Sequence, residues 1–145
     1  MIRSATYYDI PELLAMGARF ADVIGLRETV GYDPDTMERL FQHLIDAPLG
    51  ILLITDSGAA GGLVFPAMFN AKHLTGQELF WWTDPDKRGN GLRLLAALEN
   101  EARALGAHSW MMSTIEGLNT VGATKVFERR GYRASDRNFL KVFEA

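Results

Sequence analysis

The chain predicts an α+β fold in a single domain, a central sheet flanked by helices, and three observations carry that prediction. Apolar runs of strand type alternate along the 145 residues with stretches of helical apolar spacing. Helix start signals recur, at Asp9-Ile10-Pro11 and again at Asp33-Pro34. Near the middle, an aromatic strand runs into a glycine-bearing basic turn and then directly into a long leucine/alanine helix.

Ile2 to Tyr7 reads as a short first strand. Asp9 follows as an N-cap, with Pro11 in the first turn and Glu12 placed for a capping box. Ile10, Leu13, Leu14 and Ala21 share a face, so the spacing predicts an amphipathic helix over residues 10–22. Residues 24–31 read as a loop. A second helix follows Asp33, with Met37, Leu40, Phe41, Leu44 and Ile45 on one face, and stops before Pro48.

Ile51 to Thr55 and Ala60 to Phe65 read as the two strands of a hairpin turning at Asp56-Ser57-Gly58. Residues 70–76 read as a loop, and Gln77 to Thr83 as the next strand. The longest helix spans residues 92–105, with Leu92, Leu95, Leu98, Ala102 and Leu105 as one stripe widened by Leu94; Gly106 ends it. Ser109 to Ser113 reads as a fifth strand. Asn119 or Thr120 caps a last helix that ends at Gly131, and residues 132–134 and 138–143 read as a closing pair of strands.

Composition bounds the function. Apolar residues at 48% and charged residues at 23% fit a globular domain, and a net charge of −3 offers no general attraction to nucleic acid or anionic membrane. With no cysteine, disulfides, thiolate metal sites and a catalytic thiol are all excluded. The opening residues carry no long apolar segment, which sets the expectation of a cytoplasmic protein, without membrane partner and with nucleic acid disfavoured. No His/Asp/Glu group has metal-ligand spacing, so no metal is expected.

The central turn, Asp84-Pro85-Asp86-Lys87-Arg88-Gly89-Asn90-Gly91, is where chemistry is most legible. The first N–H groups of a helix lack internal partners and favour an anion, and Lys87 and Arg88 add charge at the same place. A solvated basic loop is the plainer reading of the same residues. Glu78 stands out as a carboxylate in an otherwise aromatic strand; burial beside Phe80, Trp81 and Trp82 would raise its pKa towards a useful range. An outward-facing or salt-bridged residue is its plainer reading. His73 is an alternative base, although a lone loop histidine is more often surface. His43 and His108 read as structural.

Two stretches resemble the GNAT acetyltransferase superfamily, whose members transfer an acyl group from acyl-coenzyme A to an amine. Pro85-x-x-Arg88-Gly89-Asn90-Gly91 leading into a leucine-rich helix is similar to its pyrophosphate signature, Gln/Arg-x-x-Gly-x-Gly/Ala. Asn119…Ala123…Phe127-Glu128-Arg129-Arg130-Gly131-Tyr132 is similar to its Asn…Ala…Tyr-x-x-x-Gly-Phe ending. The segment from Gln77 to Trp82 and the short loop look closest to small acetyltransferase-like proteins of phages and prophages.

The resemblance implies a central, mostly antiparallel sheet of six to seven strands with about four helices, splayed at the fourth and fifth strands. It implies acetyl-CoA as co-substrate, with the backbone of Trp82 and Thr83 along the pantetheine arm. The pyrophosphate would lie at Lys87, Arg88, Gly89, Asn90, Gly91 and Leu92, with Arg93 towards the 3′-phosphate and Asn119 near the pantetheine. It implies Glu78 as general base, directly or through a water. The acceptor would be a small-molecule or protein amine, and a homodimer contacting through the last strands or Trp110 is a family habit.

Two departures stand out. The signature reads Arg88-x-x-Gly91-x-Arg93 in one register and Asp86-x-x-Gly89-x-Gly91 in the other. Phe127 occupies the position where many members carry a tyrosine acid, and it has no proton to give. The rival reading is therefore a coenzyme A-binding module with lost or altered catalysis, acting through a partner.

Overall fold

The computed structural model describes residues 1–86, 89–116 and 118–144. Its sheet has five strands in the order β1-β2-β3-β4-β5: β1 Arg3–Ser4, β2 Gly50–Thr55, β3 Gly58–Ala67, β4 Asn70–Thr83 and β5 Ser109–Met111. β1 to β4 are antiparallel neighbours, and β5 lies parallel to β4. Four α-helices accompany them: α1 Ile10–Ile24, α2 Pro34–Asp46, α3 Gly89–Ala104 and α4 Thr120–Arg129. No helix among the described residues is long and apolar enough to cross a membrane.

The near-continuous apolar run of β2 follows from burial on both faces. Leu52 and Ile54 join Leu13, Met16, Phe41 and Leu44 of α1 and α2 in one core. Ile51 and Leu53 point the other way, to Leu94, Leu98 and Ala102 of α3. Alternation along the strand thus feeds two cores, each fully buried leucine contributing about 1.5–3 kcal/mol. Leu94, Leu95 and Leu98 are completely buried, whereas Leu92, expected in the same stripe, lies half-exposed in the first turn of α3.

The first helix begins at Ile10 as expected, but Asp9 makes no side-chain cap to it. Its carboxylate instead takes two bonds of 2.7 Å from Arg3 and one of 2.8 Å from the Thr6 N–H. Hydrogen bonding from Arg3 holds that carboxyl at a pKa of about 2. Asp33 does cap α2, accepting the Thr36 N–H at 3.2 Å.

Two expectations are corrected. Residues 70–76 are strand, not loop: β4 starts at Asn70 and pairs with β3 across a tip at Met68-Phe69. Asn70, Ala71 and Lys72 are exposed near the tip, and Leu74 alone brings a large apolar side chain to the α3 core, so the apolar signal of a strand is thin there. The sheet has five strands rather than six or seven, because residues 132–134 and 138–143 form none among the described residues. Phe139 and Phe143 in this stretch are each 84% exposed. Trp110 packs within the chain, on β3 and β4. It lies over Gly62 and Gly76, where an added Cβ would come within 2.5 and 2.4 Å of its ring.

Candidate active site

β4 and β5 pair only at Thr75↔Ser109, Gly76↔Trp110 and Gln77↔Met111. Beyond Gln77 they part, and the outer edge of β4 from Glu78 to Thr83 has no strand partner among the described residues. The parting coincides with an irregularity on the other side of β4. Gly61 faces Phe80 and Gly62 faces Glu78, so Leu79 is an extra residue bulging out of the ladder. A bulge bends and twists its strand and re-aims side chains.

Glu78 sits at this point. It is 8% exposed, and its Oε1 accepts the backbone N–H of Ser113 at 3.1 Å across the gap. Burial pushes the Glu78 carboxyl up to about 7, against a smaller opposing effect from that hydrogen bond. A carboxyl that is half-ionised near neutral pH is suited to accept a proton and to give it back.

The turn before α3 is anchored from three sides. The Asp84 N–H donates to Ser57 O at 2.7 Å, and the Asn90 side-chain amide donates to Ser57 Oγ at 2.5 Å. The Trp81 indole N–H donates to Gly91 O at 2.9 Å. Asp84 is further paired with Arg19 of α1 at 3.2 Å. These bonds hold the N-terminus of α3, where the first N–H groups of a helix lack intrahelical partners, beside the open edge of β4. A Cβ at Gly89 would meet nothing within 4 Å, which leaves that backbone open to a ligand. Arg93 is exposed in the same first turn. Lys87 and Arg88 lie outside the described residues.

Trp81 and Trp82 face opposite sides of the sheet, as alternation requires. Trp82 stacks on Phe20 at 5.4 Å in the α1/α2 core, while Trp81 lies 5.8 Å from the Phe127 ring on the α3 side. Thr83 ends β4 beside Gly58. Phe127 is buried and also touches the Tyr132 ring at 5.5 Å. The Tyr132 hydroxyl donates to Glu99 at 2.6 Å, and burial raises its pKa, so the hydroxyl nearest to Phe127 in the chain's closing motif is engaged elsewhere. Glu99 also pairs with Arg130. Asn119 stands at the N-cap of α4 in the left-handed region (φ 44°), yet its side chain makes no capping bond. It packs instead against Gly122, where a Cβ would come within 2.7 Å of it.

His73 is not brought to Glu78. It lies in β4 five residues away, on the order of 17 Å along an extended strand. Its Nε2 is 2.9 Å from Ser109 Oγ, which in turn donates to Thr75 Oγ1 at 2.7 Å. Sequence reasoning missed this His73–Ser109 contact because it depends on the parallel register of β4 and β5.

A further feature was not legible at all. An apolar cavity of about 280 Å³ lies between α1, α2 and the sheet, lined among others by Phe20, Tyr32, Met37, Leu79, Trp82 and Ile115. Among the described residues, none of its lining side chains is charged. Helical spacing could assign Met16, Phe20 and Met37 to a buried face but not reveal that the face is incompletely filled.

No protein-family model matches the chain, and no curated protein matches it. Solved structures do. A transcriptional regulator from Bacillus halodurans C-125 superposes with a TM-score of 0.77 at 20% identity, covering 99% of both chains. A predicted acetyltransferase from Clostridium acetobutylicum, solved with acetyl-CoA, gives 0.73 at 20% identity over 99% of this chain and 95% of that one. A ribosomal-protein-alanine N-acetyltransferase from Brucella melitensis biovar Abortus 2308 gives 0.69 at 16% identity over 99% of both. The chain therefore has the GNAT acetyltransferase fold, a mixed α+β sandwich spread over nearly its whole length.

Proposed function

We propose that this protein is an acyl-CoA-dependent N-acyltransferase, acting on a primary amine with acetyl-CoA as the donor. The observation that carries the reading is the buried Glu78 carboxyl, poised near neutral pH at the mouth of an unpaired β4 edge. The residues present fit acetyl-CoA. The open edge of β4 through Trp82 and Thr83 can pair with an amide-bearing pantetheine arm as an added strand would. The N–H groups at the start of α3 suit its pyrophosphate. Lys87, Arg88, Arg93 and Asn119 are further candidates to hold it.

When bound, acetyl-CoA supplies the thioester carbonyl that an amine attacks and the thiolate that leaves. The chain's own residues do the rest. Ionised Glu78 accepts a proton from the substrate ammonium, and the Ser113 N–H steadies the carboxylate while it waits. A free N–H of the β4 edge near Trp82 stabilises the developing oxyanion. Phe127 cannot donate a proton, so protonation of the leaving thiolate falls to water or to Glu78 itself.

Release of coenzyme A thiol from acetyl-CoA in the presence of an amine panel tests the proposal. Turnover that Glu78→Gln abolishes supports it; Glu78→Gln turnover equal to wild type removes the residue as base. Phe127 also favours a second reading, a coenzyme A-binding module acting through a partner. Turnover by the Phe127→Tyr variant alone would support that module; turnover by wild type rules it out.

A further inference from the structure

The sheet ends at β5, and no strand among the described residues pairs with its outer edge. Unpaired N–H and C=O groups along such an edge are a template for another strand. Both faces are apolar at this end and incompletely covered. Trp110 and Met112 lean to the α3 core and Met111, by alternation, to the opposite face, and all three are partly exposed.

The chain also carries a strand-like segment with no place in its own sheet. The Tyr132 hydroxyl is held by Glu99 at 2.6 Å, and its ring packs on Phe127. Beyond that anchor, residues 133–144 are all exposed, and no backbone hydrogen bond ties them to the rest of the described chain. Phe139, Leu140, Val142 and Phe143 are among them. An extended backbone puts Phe139 and Phe143 on one side and Leu140 and Val142 on the other. Apolar residues on both sides are also the pattern of β2, which is buried on both faces of the sheet.

We propose that two copies of this chain form a closed homodimer by exchange, residues 138–143 of each adding as a strand to the outer edge of β5 in the other. Each copy holds one free edge and one free strand, so a twofold pair satisfies both and leaves neither open. Charge fits a second copy as the partner. Residues 133–143 carry Arg133, Arg137 and Lys141 against Asp136 alone, while the whole chain has a net charge of −3, so a basic segment meets an acidic body. The area is sufficient. At ~150–250 Å² per aromatic side chain, the 84% exposed Phe139 and Phe143 of two copies take on the order of 600 Å² out of water. The surfaces they cover roughly double that figure, past the ~1,000 Å² of a specific interface. The exchanged strand lies on the side of β5 away from β4 and Glu78, so it backs that wall of the splay without entering it.

Sedimentation of the wild-type chain at concentrations up to about 200 μM tests this, with hydrogen exchange read at residues 138–143. The expected mass is twice 16.1 kDa. The Phe139→Asp/Phe143→Asp variant and the chain cut after Tyr132 are expected to sediment as monomers, the first with its unfolding transition intact. Backbone exchange at residues 138–143 is expected to be at least about tenfold slower in the wild-type dimer than in the doubly charged monomer. A wild-type chain that stays at 16.1 kDa overturns the proposal, and so does a mass that climbs past two copies, as an open array would give. A dimer that survives both changes, or free exchange of residues 138–143 within the dimer, overturns the role of this segment. Slow exchange there in a wild-type monomer would place the segment on its own sheet and overturn the proposal as well. No ligand enters this test, so its outcome is separate from that of the acyltransferase reading.

Discussion

The Glu78 carboxylate and the Ser113 backbone N–H meet at 3.1 Å across the gap that opens where β4 and β5 part. This single bond ties a titratable group to the place where the two strands stop pairing. Burial outweighs it and keeps the carboxyl at about 7, so ionisation of Glu78 falls in the working pH range.

Activity should therefore rise with pH through about 7, as the carboxylate form of Glu78 becomes available. Glu78→Gln should lose about 10²–10⁴-fold in kcat/KM, the usual contribution of a positioned base, and should lose that inflection with it. A pH profile of thiol release for the two proteins measures both.

Stability should move the other way. The folded pKa of Glu78 lies above its ordinary value of 4.5, so the folded state holds the proton that the unfolded chain releases. Stability is then fully present below about pH 4.5 and is lost as pH rises through about 7, by on the order of 3 kcal/mol at ~1.4 kcal/mol per pKa unit. Glu78→Gln keeps an acceptor for Ser113 but cannot ionise. Urea unfolding at pH 5 and pH 8 should show the decline in wild type and not in the variant.

Asp9 carries the opposite sign. Its pKa of about 2 lies below the ordinary 3.8, so its contribution is present above that value and fades as pH falls through about 2. Arg3→Ala removes the two guanidinium bonds and should lower stability at pH 7. Thermal unfolding of the variant at pH 7 and below pH 3 checks that the difference shrinks in acid.

Trp81→Phe removes the N–H that holds Gly91 O while leaving a ring beside Phe127. The start of α3 loses one of its anchors, and acetyl-CoA affinity should fall by about three- to tenfold, the worth of roughly one hydrogen bond. Titration of wild type and variant, with far-ultraviolet circular dichroism to confirm the helix content, reads this directly.

Gly76→Ala tests the packing of β4 against β5. Its Cβ would lie 2.4 Å from Trp110 Cε3, so the indole must shift off the sheet. Overpacking of this kind costs about 1–3 kcal/mol, measured as a lower urea midpoint.

Much of this was legible in the sequence where a strong local signal coincides with burial. Asp33-Pro34 marks α2, Ile51 to Ile54 marks a strand buried on both faces, and the Trp82-to-Leu95 stretch marks the strand, turn and helix that frame the site. Glu78 was legible for a chemical reason, as a charge among aromatics. What was missed depends on pairing and space. The start of β4 mixes exposed and polar residues with a single large apolar one, Leu74, so only its register with β3 reveals a strand. Residues 138–143 are rich in strand-forming residues but are paired with no strand, and pattern alone does not supply a partner. The apolar cavity is a property of imperfect filling, and no spacing rule encodes a void.

The central claim is an acetyl-CoA site running from the open edge of β4 to the N-terminus of α3, and calorimetric titration with acetyl-CoA tests it most directly. The account predicts saturable one-to-one binding with a Kd between about 1 μM and 1 mM, the range in which enzymes hold their substrates. No heat of binding at millimolar acetyl-CoA, from a protein whose unfolding transition is intact, would contradict it.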